Sequence, residues 1–241
     1  MAAPAKLTWS LRVVGVRPDG YHLIDAEMVT LDLADELTID ESAPLSLTVS
    51  GPFAGGVPAD DSNLVAKALH LVGRGGAVHI DKRIPNGGGL GGGSADAAAI
   101  LRWAGVDDPA VAVQLGADVP FCVAGGRARV TGIGEHVEPL PPVNRIVTLV
   151  VPPLHVSTPA VYRAWDDMGG PTADGPNDLE PAALVVEPAL ATWRDRIASA
   201  AGVMPVLAGS GATWFVDGDH AAALAALRGD GASVIVSRTA P

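Results

Sequence analysis

The chain has 241 residues, 48% hydrophobic and 18% charged, which excludes a disordered polymer and leaves length for one large or two small domains. A formal net charge of −11 excludes a general nucleic-acid or acidic-membrane binder, so an anionic ligand needs backbone amides and a few well-placed cations. Cys122 is the only cysteine, no apolar run reaches membrane-spanning length, and the N-terminus lacks a signal-peptide core. These features predict a cytoplasmic protein without a disulfide.

In chain order, residues 5–16 alternate loosely and predict a strand, and Pro18-Asp19-Gly20 is a turn signal. Apolar stretches at 23–33, 37–39 and 45–49 predict further strands, followed by a Gly/Pro/Asp loop at 51–61. Residues 63–72 read as a helix, 77–84 as a strand ended by Pro85, 94–103 as a helix stopped by Gly105, and 109–115 as a short helix. Residues 116–121 read as a turn entering an apolar strand, and glycines at 125–126, 132 and 134 punctuate two more short strands. A Pro-rich stretch at 139–142 marks a boundary, giving lobes 1–143 and 144–241. Beyond it lie a strand at 146–151, helices at 159–166 and 179–200, strands at 203–207 and 213–216, a helix at 221–227 and a strand at 232–236. This order predicts an α+β fold.

Between Gly87 and Gly93 every residue but Leu90 is glycine. Glycine permits φ > 0 and lets a ligand approach bare backbone, at an entropic cost to order. The loop joins a strand to a helix that Ser94 is placed to cap, so it delivers N–H groups to a positive helix end. The reading is a phosphate cradle; the alternative is a flexible linker, which more often joins domains. The pattern Gly87-x-Gly89-x-x-Gly92 matches the dinucleotide fingerprint, but the acidic residue about twenty positions on is missing from a second strand end. No Lys follows the last glycine, so the Walker pattern fails.

Phosphoryl transfer needs a cradle, a cation against the developing charge and a carboxylate to take the hydroxyl proton. Lys6 and Asp118 are candidates for the last two. The sequence resembles the GHMP small-molecule kinases along nearly its whole length. The resemblance rests on Ala5-Lys6-Leu7, Arg17-x-Asp19-Gly20-Tyr21-His22, Asp35-Glu36-Leu37, Asn63-Leu64-Val65, Lys82-Arg83-Ile84-Pro85 and the glycine loop through Asp96. It continues through Leu115-Gly116-Ala117-Asp118-Val119-Pro120, Thr158-Pro159, Asn177-Asp178-Leu179-Glu180 and Gly209-Ser210-Gly211-x-Thr213.

The resemblance implies a two-lobe α+β kinase, with a left-handed β-α-β unit in the nucleotide lobe and a ferredoxin-like α/β sandwich in the substrate lobe. It implies ATP and magnesium (Mg²⁺), and transfer to the 2-hydroxyl of a cytidine-diphosphate-linked methylerythritol. Asp118 would be the general base and Lys6 its partner. Pro85, Gly87, Gly88, Gly89, Leu90, Gly91, Gly92, Gly93 and Ser94 would hold the ATP phosphates, with Ser94 near Mg²⁺ and Asn63 and Lys82 facing the nucleotide. Tyr21 and Tyr162 would stack on the cytosine, His22 would hydrogen-bond it, and Thr158 and Thr8 would lie along the substrate. Taken alone, the residues also allow a turn-capping Asp118, a solvated Lys6, a helix-capping Asn63 and a core tyrosine. Thr8 departs from the family's Asn, and Trp9 beside it is bulkier than usual. Other readings are a sibling kinase of another small alcohol, against which the tyrosines and His22 argue, or a non-catalytic nucleotide-binding regulator. The expected partners are ATP and the small-molecule substrate, with no nucleic acid or membrane, in a monomer or weak homodimer.

Overall fold

The structure, a computed structural model, describes residues 1–240. Its central strand is β2 (His22–Asp40). The sequence reading breaks this stretch into two strands, yet no glycine or proline interrupts it, and it runs as one strand of 19 residues. One edge of β2 pairs antiparallel with β1 (Ala2–Val16). The other edge is shared in turn by β5 (Arg127–Gly132), β10 (Ser233–Ala240) and β4 (Ala77–Asp81). β6 (His136–Pro139) extends β5. β3 (Ser46–Ser50) lies parallel to β4 with α1 (Leu64–Leu71) between them, a β-α-β unit.

The second half has β7 (Ile146–Val151), α5 (Thr158–Asp167), α6 (Glu180–Val186), α7 (Ala189–Ala201), β8 (Val206–Leu207), β9 (Trp214–Asp217) and a 3-10 helix at Ala225–Asp230 before β10. The antiparallel order β10-β7-β9-β8 is fourth-first-third-second, the ferredoxin-like β-α-β-β-α-β arrangement. β10 pairs with β7 and then, at Thr239 and Ala240, with β2. One ladder therefore crosses residue 143 and holds both halves in register.

α2 (Gly92–Trp103) buries residues 95–101 against α1, β1 and α4 (Val119–Ala124). Residues 119–124 form this helix, not the strand expected from their β-branched and aromatic content. Six residues are too few to display helical periodicity, and Pro120 sits in the first turn, where its missing N–H costs nothing. The short helix expected at 109–115 is shorter still, α3 (Pro109–Ala112). The helix expected at 179–200 is cut in two at Glu187-Pro188, and that expected at 221–227 is the later 3-10 helix. The strand expected to reach residue 84 stops at Asp81, because Asp35 Oδ1 takes the amides of Arg83 at 2.6 Å and Ile84 at 2.8 Å out of the ladder.

Candidate active site

The glycine loop reaches its helix earlier than expected. Gly91 occupies the N-cap in the left-handed region (φ 68°), and Ser94 lies inside the first turn, so Ser94 is not the cap. The first helical bond runs from Ala95 N to Gly91 O at 2.8 Å. The amides of Gly92, Gly93 and Ser94 thus have no partner within the helix and lie at its positive end. Several glycines are required by the protein itself. A Cβ on Gly91 would lie 2.7 Å from Lys6 Cγ, and one on Gly89 2.8 Å from Gly211 O. Gly93 differs: a Cβ there meets only Leu64 Cδ1 at 3.6 Å, so its bareness serves no packing need. Lys6 N donates to Leu90 O at 3.0 Å, which ties the loop to β1.

Residues 5–8 of β1 are all buried, because both faces of the strand are covered. The β1–β2 register breaks on either side: between Pro4 and Lys6 the extra residues lie on β2, and between Thr8 and Ser10 a second bulge puts the extra residue on β1; Lys6 lies against Gly91 and Thr8 against Gly209. Lys6 Nζ donates to Thr8 Oγ1 at 3.1 Å and pairs with Asp118 Oδ2 at 3.2 Å. Thr8 therefore serves as an acceptor for the lysine. Trp9, the extra residue of the second bulge, packs edge-on against Phe215 of β9 with ring centroids 6.0 Å apart. Asp118 stands at the N-cap of α4, but its side chain makes no capping bond, and it stays 31% exposed. Cys122, four residues on, is buried, and burial pushes its thiol up to about 12; it is inert.

Two cavities meet at these groups. The larger, about 540 Å³, is lined by Lys6, Thr8, Tyr21, His22, Thr158 and Tyr162 among others. The smaller, about 290 Å³, is lined by Lys82, Pro85 and the loop from Gly87 to Gly93. Gly89, Ser94 and Asp118 line both. Asn63 lines neither: its Oδ1 caps Val65 N at 2.9 Å and its Nδ2 donates to Pro58 O at 2.7 Å. Lys82 is not a strand residue with a free ammonium, since its Nζ bonds Asp35 and Asp96. Burial, with Asp35 nearby and against the pull of Lys82, pushes the Asp96 carboxyl up to about 7.

Tyr21 and Tyr162 both line the larger cavity. Tyr21 is exposed, with the Arg17 guanidinium 5.9 Å from its ring centre. Tyr162 instead packs on His22, centroids 4.5 Å apart, and burial with nearby Asp118 pushes its hydroxyl up to about 12. His22 Nε2 bonds Asp166 at 2.8 Å, and Trp165 meets the ring edge-on. Thr158 Oγ1 and Ser210 Oγ share a hydrogen bond of 2.8 Å. Asn177 Nδ2 donates to Leu207 O and Gly209 O, which explains the Asn177 motif as the brace of the Gly209 loop. Arg163 and Asp166 line the larger cavity and were not singled out from sequence, since nothing separates them from ordinary helix-surface charges.

The model of the GHMP kinases N terminal domain matches residues 63–126. A 4-diphosphocytidyl-2-C-methyl-D-erythritol kinase of Paracoccus denitrificans (strain Pd 1222) is 42% identical over 233 residues, 89% of this chain and 85% of the relative. The chain belongs to the 4-diphosphocytidyl-2-C-methyl-D-erythritol kinase family. A crystal structure from that kinase family matches with TM-score 0.80 and 33% identity, over 100% of this chain and 99% of the other. The Methanococcus jannaschii mevalonate kinase, 13% identical with TM-score 0.61, shares the fold over 100% of this chain and 98% of its own. The matched GHMP segment holds the glycine loop and Asp118, while Lys6, Tyr21, His22 and Tyr162 lie outside it. Among the described residues, no helix of this 4-diphosphocytidyl-2-C-methyl-D-erythritol kinase family member is long and apolar enough to cross a membrane.

Proposed function

We propose that the chain transfers the γ-phosphoryl group of ATP to the 2-hydroxyl of 4-diphosphocytidyl-2-C-methyl-D-erythritol, as a cytoplasmic enzyme. The observation that carries the reading is the meeting of the two cavities at Ser94 and Asp118, with Lys6 3.2 Å from the carboxylate. ATP phosphates lie in the smaller cavity on the amides of residues 92–94, and the cytidylyl alcohol lies in the larger. Asp118 takes the proton as the hydroxyl oxygen attacks the γ-phosphorus, the bond to ADP breaks, and Lys6 faces the developing charge. All these groups come from one chain, so the reading needs no second subunit.

Among the described residues, no three His, Cys, Asp or Glu side chains form a cage for a metal ion. The donor at hand, Ser94, lines both cavities and fits a cation carried mainly on phosphates and water. Mg²⁺ held there would supply charge neutralisation to the nucleotide phosphates. Arg163, exposed and lining the larger cavity, suits the diphosphate of the substrate.

ADP release measured with this cytidylyl alcohol, homoserine and mevalonate tests the whole reading. Turnover on the cytidylyl alcohol alone is expected. Faster turnover on another alcohol, or ATP binding without transfer to any, would overturn it. Gly93→Ala tests the cradle. The added methyl meets no protein atom closer than 3.6 Å, so the melting temperature stays put while KM for ATP rises about tenfold. An unchanged KM would take the phosphates away from this loop. Tyr21→Ala tests stacking: KM for the cytidylyl alcohol rises about 5- to 150-fold with KM for ATP unaltered. No change would leave Tyr21 as an ordinary surface residue.

A further inference from the structure

Asp35, Lys82 and Asp96 form an ionic cluster, each 3% exposed or less, that no step of the transfer uses. Lys82 Nζ donates to Asp35 Oδ2 and, at 2.7 Å, to Asp96 Oδ2. Asp35 Oδ1 holds the amides of Arg83 and Ile84, and Asp96 Oδ1 has no partner. Two carboxylates thus share one buried ammonium, an arrangement that is weak evidence for stability in itself.

The placement of the three residues is more informative. Asp35 lies on β2, the central strand. Lys82 stands three residues before Pro85, where the chain enters the loop, and Asp96 lies in α2, three residues after Gly93, where it leaves. A Cβ on Gly92 would sit 3.2 Å from Lys82 Nζ, so the ammonium lies against the first residue of the helix. One cation therefore joins both ends of the loop to the middle of the sheet. The loop itself, mostly glycine, has little side chain to hold it. Ordering it only when nucleotide arrives would cost conformational entropy, and ordering it beforehand removes that cost from binding.

We propose that Asp35, Lys82 and Asp96 act as a clamp that preorganises the glycine loop for the nucleotide phosphates, as positioning residues that do not touch the nucleotide. The proposal rests on the reading of the loop as the phosphate cradle. Lys82, although it lines the smaller cavity, thereby acts by holding the loop with its ammonium occupied by Asp35 and Asp96, and those two carboxylates gain functions.

The test uses Lys82→Met, Asp35→Asn, Asp96→Ala and Asp96→Asn in the full chain. The first three are expected to raise KM for ATP about tenfold with KM for the cytidylyl alcohol within about twofold. In the same three, amide hydrogen exchange at residues 86–93 without nucleotide accelerates about tenfold. Asp96→Asn keeps an oxygen that accepts from Lys82 and retains most of the ATP affinity. A lysine that contacted nucleotide directly would behave oppositely in Asp35→Asn, where releasing the ammonium would leave or lower KM for ATP; that result overturns the clamp. Should Lys82→Met or Asp35→Asn fail to fold, Asp96→Ala leaves the Asp35–Lys82 pair intact and carries both readouts. Unchanged exchange and unchanged KM in Asp96→Ala overturn the clamp. If Gly93→Ala raises KM for ATP and the clamp variants do not, only the clamp falls; if Gly93→Ala is also silent, the cradle falls with it.

Discussion

Asp118→Asn is expected to lower kcat by about 10²–10⁴-fold while Kd for ATP stays within about twofold. Asparagine keeps the shape of the side chain and still offers an oxygen to Lys6 Nζ, 3.2 Å away in the wild type. It cannot take the proton of the attacking hydroxyl. The fold does not depend on the carboxylate, since α4 is not capped by the Asp118 side chain. The nucleotide site does not depend on it either, because the free amides at 92–94 come from backbone. Single-turnover kinetics with calorimetric titration of ATP separate the two quantities. A kcat near wild type would remove Asp118 as the base; a matching loss of ATP affinity would move its role from chemistry to binding.

The glycine loop was legible in the sequence because its chemistry is local: dense glycine between a strand and a helix has few uses. The glycines themselves were not separable. Gly91 and Gly89 are bare because Lys6 and Gly211 press against them, whereas a Cβ on Gly93 would make only ordinary contact with Leu64. That distinction depends on what lies across the fold, which no local pattern records. Lys82 illustrates the same limit. Beside a proline and a glycine loop, a lysine reads as a nucleotide contact, and nothing local shows that its ammonium is also held by Asp35, 47 residues earlier, and Asp96, 14 later.

The fold shows a parallel contrast. The ferredoxin-like order β10-β7-β9-β8 was implied by the family resemblance, and the α+β character of the second half was readable from its succession of strands and helices. The single β2 was not, because three different partners share its far edge and no sequence period marks where one gives way to the next. The burial of Lys6 has the same origin. Residues 5–8 face protein on both sides, so apolar alternation fails where the charged residue sits. Thr8 shows how a departure from a family pattern acquires a local account: its hydroxyl accepts from Lys6 Nζ at 3.1 Å, a bond a shorter side chain can make.

Lys6→Met is expected to lower kcat by about 10²–10³-fold, the usual loss when one preorganised donor facing developing charge is removed. Methionine fills the volume of the stem and keeps the packing against Gly91, so the protein should fold, as a thermal melt will check. The loss then reports the ammonium alone. Lys6→Arg is expected to rescue little. The lysine stem is pressed to the loop, with Cγ 2.7 Å from where a Cβ on Gly91 would lie, and its Nζ fits between Thr8 at 3.1 Å and Asp118 at 3.2 Å. A planar, longer guanidinium cannot occupy that slot without moving the loop, so arginine restores the charge and disturbs the cradle. The two variants should therefore differ in kind. Lys6→Met loses kcat with little change in KM for ATP, and Lys6→Arg loses kcat with KM for ATP raised about tenfold. A Lys6→Met protein with kcat within about threefold of wild type would take Lys6 out of the chemistry and leave Asp118 without the partner that the geometry gives it.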